Sequence, residues 1–578
     1  KREKKMRKSY RDVTEGAKLC LKNIFKRPTQ PSRWIIAFAV LALVWVTVYI
    51  GMFFYQVNST ISDYSWGDAA YYNQLAYNFT HGRPLQTSLY RNCSAAVWDN
   101  NPFPYLHSFN IHVNFTPYLI LWLYKFMPTV NGLYFITIFF NLRGFLGIGW
   151  LIVRQISSDR DRSIAYALAC AAFFVASPFV YTVTYKGHYA LFAGPLILAA
   201  YYYCLRGNKF MLTVMGLLLC GITEDMAMFM CSFSVYLFIF EKRVRKMALW
   251  MGIGSVAYMA GAFFVIQPAC EVGFPIAYAN DLLARFGAVH PQGFFNWPGV
   301  FRVTAYLALL GAALTSMALF SNFNKTINWK KPLGLIFIAP ASHWFIFMVE
   351  GGGHHIIPIL ACTFLALLLI ATKLEFRPIA VMRIVAFALI GTAVFLPKAY
   401  RMTQRFPFRT DAKLIARMET NKSTLREVAA LPEKASVSYW TNQGIDAFLT
   451  SRNDVWRFPD YFDSADYLVI QKDADQTFYS LKENTSGGIA TAIKEGQFYT
   501  SNTEIPMSAE AVKRMENELV DVKASHEVKE DNKHVLILKR KKGMVLPLME
   551  YTIGLNWIKN IGKKNIVVHK DKPGLEGK

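Results

Sequence analysis

The chain is poor in charge and in the usual catalytic signatures. Only 18% of its 578 residues are charged, against about 25% in a soluble domain. With 53% hydrophobic and 15% aromatic residues, that deficit excludes a single compact soluble domain. The 8 cysteines are too few for a disulfide scaffold in so long a chain, and they show no CxxC pair and no zinc spacing. Cys170, Cys204, Cys220, Cys231 and Cys362 lie in or beside apolar spans, where cysteine packs as a small hydrophobe. Cys93 and Cys270 fall in polar loops. An oxidising exterior would permit a bond between them, and spacing alone leaves bonded and free thiols both open. The C-terminal third holds no Gly-rich phosphate loop and no GxSxG elbow, and the chain has no internal repeat.

What the chain does have is long apolar runs. A membrane helix needs about 20 apolar residues, and about eleven runs between positions 34 and 398 approach that length. They are Trp34–Tyr55, Asn131–Val153, Ser163–Tyr185, Tyr189–Cys204, Phe210–Ile222, Met226–Phe240, Ala248–Pro268, Val300–Phe320, Pro332–Val349, Ile356–Ala371 and Ile379–Leu396. The first is too long for a signal-peptide core and reads as an uncleaved anchor. Phe115–Phe126 reads as an amphipathic piece lying at the interface.

The net charge of +24 does not point to nucleic acid, because the basic residues sit where a membrane protein needs them. Segment 1–33 is a basic cytoplasmic stretch suited to anionic lipid. Loops 154–162, 206–209, 241–246, 322–331 and 373–377 all carry Lys or Arg. The alternate loops hold most of the carboxylates and histidines. The expected topology is therefore multi-pass in the cytoplasmic (inner) membrane, with the N-terminus inside and the tail outside. The expected fold is an all-α polytopic membrane domain over 34–398, with an acidic first outer loop at 56–114. An extracytoplasmic α/β domain with a basic tail follows over 399–578. In that tail 413–431 reads as helix, and 436–440, 455–458, 467–471 and 534–539 as strands.

Ionisable groups at the rim of a bilayer are costly and so are functional candidates. Asp63 and Asp68 follow the first span directly, amid Tyr64, Trp66, Tyr71 and Tyr72. A carboxylate there can deprotonate a hydroxyl or hold a divalent metal. Glu224 and Asp225 interrupt an otherwise apolar stretch, which makes them the least ordinary position in the chain. They need a cation, and Lys186, Arg285 or a metal such as Mg or Mn shared by Asp68, Glu224 and Asp225 can supply it. Lys186-Gly187-His188 and Glu350-Gly-Gly-Gly-His354-His355 are short outer turns whose histidines can donate to phosphate. His112 and Asn114 can contact a polar substrate or simply hydrate a loop. His343, in mid-span, reads as a packed, hydrogen-bonded histidine.

The order Gly67-Asp68, Gln74, His81-Gly82-Arg83, then His112-Val-Asn-Phe-Thr-Pro117, resembles a bacterial and archaeal family of multispanning membrane proteins of unknown function. Thr223-Glu224-Asp225, His354-His355-Ile-Ile-Pro358 and the tail from Leu431 to Ile470 extend the likeness. That family is placed with the GT-C glycosyltransferases. The usual His-Phe-Ser-Pro reads Asn114-Phe-Thr-Pro117 here, with His112 displaced. The resemblance implies a lipid-phosphate sugar donor and a site at the outer face. It makes Asp68 the base or metal-side acid and Asp63 the second, with Glu224 and Asp225 completing the acidic site. Lys186, His188, Arg285, His112, His354, His355 and Gln74 would serve substrate and phosphate. The function expected is transfer of a sugar from a polyprenyl-phosphate carrier to an acceptor on the outer face. The alternatives are a non-catalytic membrane subunit that keeps the fold and uses its outer domain for protein partners, and a transporter.

Overall fold

The structure is a computed structural model that describes chiefly residues 67–89, 106–110, 112–156, 187–270, 329–350, 353–371, 412–441, 445–452, 454–457, 465–471 and 526–541. It is mostly helical, with a small C-terminal sheet. The chain enters through α1 (Gly67–Thr80), which leads to a two-residue antiparallel pair, β1 (Gln86–Thr87) with β2 (Leu106–His107). The expected outer segment 56–114 therefore contains a 14-residue helix. Ala69 through Asn78 are buried all round, so α1 is a core helix. Segment 115–126 forms the short helix Tyr118–Leu121 and a 3-10 turn, Trp122–Phe126. Phe115, Leu119, Trp122 and Phe126 stay exposed, as an interfacial apolar face would be.

The apolar helices come next. α2 (Val130–Arg143) continues through a π-turn at Gly144–Ile148 into α3 (Gly149–Ile156). α4 (Ala193–Leu205) and α5 (Lys209–Cys220) form a hairpin closed by Asn208, whose side chain accepts from Met211 N and caps α5. α6 (Glu224–Phe240) packs along α7 (Arg245–Gly261). α8 (Lys330–Phe337) and α9 (Ala341–Glu350) together make up the span expected at 332–349, interrupted between them at Pro340. Pro340 disfavours helical geometry at Ala339, so the helix stops and restarts. α10 (Ile356–Ala371) packs against α8 and α4.

Among the described residues, Val130–Ile156, Lys242–Ile266 and Lys330–Val349 are long and apolar enough to cross a membrane. The second of these buries little of itself. Leu249, Trp250, Ile253, Val256 and Phe264 are exposed, which in a span means contact with lipid. The expected spans Trp34–Tyr55, Ser163–Tyr185, Val300–Phe320 and Ile379–Leu396 lie wholly or largely outside the described residues.

The tail forms α11 (Ala412–Ala429), β3 (Val437–Trp440), α12 (Asp446–Leu449), β4 (Val455–Arg457) and β5 (Tyr467–Gln471), close to the expected bounds. Further on come the antiparallel pair β6 (Tyr479–Leu481) with β7 (Phe498–Thr500), then β8 (His526–Asp531) and β9 (Val535–Arg540). The main sheet runs β4-β3-β5-β9-β8, parallel among its first three strands and antiparallel thereafter. Arg452 holds the end of α11. Its guanidinium donates to the carbonyls of Val428, Leu431, Pro432 and Glu433, satisfying groups that a helix terminus leaves open.

α1 joins the two parts. Ala69 and Ala70 share a core with Tyr134, Ile445, Ala447 and Val455. The buried Asn73 amide donates to Ala447 O at 3.1 Å and accepts from Tyr124 Oη at 2.7 Å. Arg83 pairs with Asp454, and Ser88 Oγ donates to Val455 O.

Candidate functional site

Glu224 and Asp225 open α6 and are both buried. The positive end of a helix dipole favours carboxylates there. Successive helical residues diverge by about 100°, so the two side chains meet different neighbours. The hairpin that delivers them is tight. Gly221 O accepts from Thr116 N at 2.8 Å, and a Cβ on Gly221 would lie 2.7 Å from Thr116 Oγ1. Segment 112–116 is thereby pinned against the start of α6.

Glu224 faces that segment. Its Oε1 accepts from Val113 N at 2.5 Å and from the Gln267 amide at 2.9 Å. Its Oε2 lies 3.1 Å from His112 Nδ1. A carboxylate only accepts, so the Nδ1 carries the proton. His112 lies in the loop outside the spans. Burial works against its charge, but Glu224 favours it through both charge and hydrogen bond, and Asp225 and Asp68 add to this. The net effect raises the imidazole above its ordinary value.

Asp225 faces the other way. Thr223 Oγ1 donates to its Oδ1. Its Oδ2 lies 3.0 Å from His355 Nδ1 and 3.4 Å from His343 Nε2. Among the described residues these three are the group whose ligating atoms lie within 4.8 Å of one another, as a metal ion would require. Glu224 thus accepts from three donors, two on Oε1 and one on Oε2.

A chain of imidazoles links the two carboxylates. His188 lies 6.4 Å from His112 between ring centroids and stacks on His354 at 4.0 Å, and His354 meets His355 at 3.9 Å. Gly187 sets His188 in place. Its φ of +63° suits glycine, and a Cβ there would meet Leu133 at 3.2 Å and the Ala69 backbone at 3.6 Å. His188 Nδ1 accepts from Ala190 N at 3.1 Å, which leaves Nε2 as the donor. Tyr72 of α1 lies edge-on to His188 at 4.9 Å. Asn114, two residues after His112, is fully buried, and its amide has no hydrogen-bond partner among the described residues.

The structure thus brings together His112, His188, Glu224, Asp225, His354 and His355. Asp68 is half-buried in the first turn of α1. Gln74 is fully buried in α1. Its amide clamps the chain after α1, donating to Ser88 Oγ at 2.8 Å and accepting from Thr87 Oγ1 at 2.8 Å. Asp63, Lys186, Arg285 and Cys93 lie outside the described residues, and Cys270 is a buried free thiol. His343 was missed as a site residue. It lies within the Lys330–Val349 span, in the first turn of α9 after the break at Pro340, and that proline was the available signal.

These features define a multispanning membrane protein whose carboxylates and imidazoles gather at one end of its helices. The chain belongs to the predicted membrane protein family DUF2079, which matches residues 67–495. That match begins at the first residue of α1. No curated protein matches the sequence. Among solved structures, the chain is similar to the crystal structure of ArnT from Cupriavidus metallidurans bound to undecaprenyl phosphate. The TM-score is 0.44 at 10% identity, over 87% of this chain and 97% of that one. A likeness of that size carries no argument about the chemistry here.

Proposed function

We propose that the protein is an integral membrane glycosyltransferase of the GT-C type, moving a sugar from a polyprenyl-phosphate donor to an acceptor on the outer face. The observation that carries this reading is the meeting of His112, Glu224 and the His188–His354 stack, from separate segments, beside the start of α6. A lipid-linked phosphate presents its headgroup at such an end while its chain lies along exposed apolar surface of the kind α7 offers. Asp68, with Asp63 second, would take the proton of the acceptor hydroxyl. His188 and His354, with Lys186 and Arg285, would receive the departing phosphate. Glu224 holds His112 and the 112–116 segment in place, and the Asn114 amide is a ready contact for a polar substrate.

The topology proposed has residues 1–33 inside against anionic lipid and the C-terminal sheet outside, where it can meet protein partners. The test is turnover of labelled polyprenyl-phosphate sugar in membranes holding the full chain. Release of polyprenyl phosphate is expected from the native protein and should vanish in Asp68→Asn at equal insertion. An unimpaired Asp68→Asn protein would favour a non-catalytic subunit.

A further inference from the structure

We propose that Asp225, His343 and His355 form a buried binding site for a zinc-type transition-metal ion, distinct from the Glu224–His112 pair. Two imidazoles and one carboxylate make a borderline donor set that selects Zn, Co or Fe(II) over Mg or Ca, which prefer oxygen alone. The spacing fits. Ligand bonds of about 2.0–2.1 Å in a tetrahedral site separate ligand atoms by roughly 3.3–3.4 Å. Asp225 Oδ2 stands 3.0 Å from His355 Nδ1 and 3.4 Å from His343 Nε2, and all ligating atoms lie within 4.8 Å. The ion would need only small side-chain shifts.

The surroundings are built as metal sites are. Ligand imidazoles are held through their second nitrogen, and ligand carboxylates through their second oxygen. His343 Nδ1 lies 3.3 Å from Ser342 Oγ, which is itself 3.2 Å from Ser232 Oγ. The Thr223 hydroxyl donates to Asp225 Oδ1, leaving Oδ2 toward both imidazoles. His355 is packed against His354, and His343 against Phe229 at 5.8 Å. The ligands come from three helix starts, α6, α9 and the turn before α10. A bound ion would therefore tie three helices together. Three protein ligands leave one coordination position for water or for an oxygen of a ligand.

The inference does not rest on the transferase reading, because metal affinity is measured without any sugar transfer. The full chain, purified in detergent and stripped with chelator, is titrated with Co²⁺ and, in competition, with Zn²⁺. One ion per chain is expected, with the intense visible bands of four-coordinate Co²⁺ and without the near-ultraviolet thiolate band that binding at a cysteine would give. His343→Ala should weaken binding at least ~100-fold. Thr223→Val, which keeps shape and removes only the supporting hydroxyl, should weaken it about 10–100-fold. His112→Ala should leave it unchanged. A folded native protein that binds no Co²⁺ or Zn²⁺ at micromolar concentration would overturn the proposal whether or not the variants fold. So would stoichiometric binding that His343→Ala and Thr223→Val do not alter, or a thiolate band in the Co²⁺ spectrum.

Discussion

Glu224 and Asp225 share a peptide bond and a helix start, yet they face two different neighbourhoods. Glu224 is held by a backbone N–H, a side-chain amide and one imidazole, so each of its oxygens is satisfied from the 112–113 loop and Gln267. Asp225 is held by one hydroxyl and directs its other oxygen to two imidazoles. The first arrangement fixes a loop, and the second resembles a ligand set. An adjacent pair of acids therefore need not be a single acidic site. The helical turn between them divides it into two, and the His188–His354–His355 stack bridges the halves.

Substitutions can break that division. The largest effect is expected for Glu224→Ala, which strands Val113 N–H, the Gln267 amide and His112. Removing one member of a buried pair costs about 3–5 kcal/mol, read as a large fall in thermal stability of the purified protein with or without metal. Asp225→Asn should cost less in chelator, about 1.5–3 kcal/mol for hydrogen bonds to a charged group, and should abolish any stabilisation by added Zn²⁺. If both substitutions cost the same, and Zn²⁺ protects neither the native protein nor the variants, the division fails.

A smaller effect separates the sides by pH. His112 has its imidazole raised by Glu224 in the folded protein. Its stabilising contribution is thus fully present below the unfolded value of about 6.5 and lost as pH rises through the higher folded value. Stability of the native protein should decline over that interval. His112→Gln should flatten the decline, and an unchanged pH profile in that variant would mean the pair is not charged as described. The smallest effect is expected from His354→Ala, which removes the stacked bridge. An aromatic stack is worth about 0.5–1.5 kcal/mol, so the protein should stay folded while its hold on lipid phosphate weakens.

Much of the C-terminal sheet was legible because β3, β4, β5 and β9 are short apolar runs between turn signals. β8 was not, since His526–Asp531 is a charged and largely exposed edge strand. α1 was hidden for the opposite reason. Its tyrosines, alanines, Asn73, Gln74 and Asn78 are all buried, so no polar stripe marks a helical face. Glu224, Asp225 and the histidines stood out against apolar sequence, and these two acids do meet His112 and His355 in the fold. What spacing could not convey was which imidazole serves which acid, because His112, His343 and His355 reach α6 from segments over a hundred residues away. His343 required reading Pro340 as a break within an apparently continuous span.

The most direct test of the central claim, that this end of the helices holds a lipid-linked phosphate, is native mass spectrometry of the full chain in nanodiscs. Polyprenyl phosphate would be offered against the polyprenol of equal length. Retention of the phosphate form at least tenfold above the alcohol is expected, with the difference abolished in His188→Ala/His354→Ala. Equal retention of phosphate and alcohol by the native protein would contradict the account.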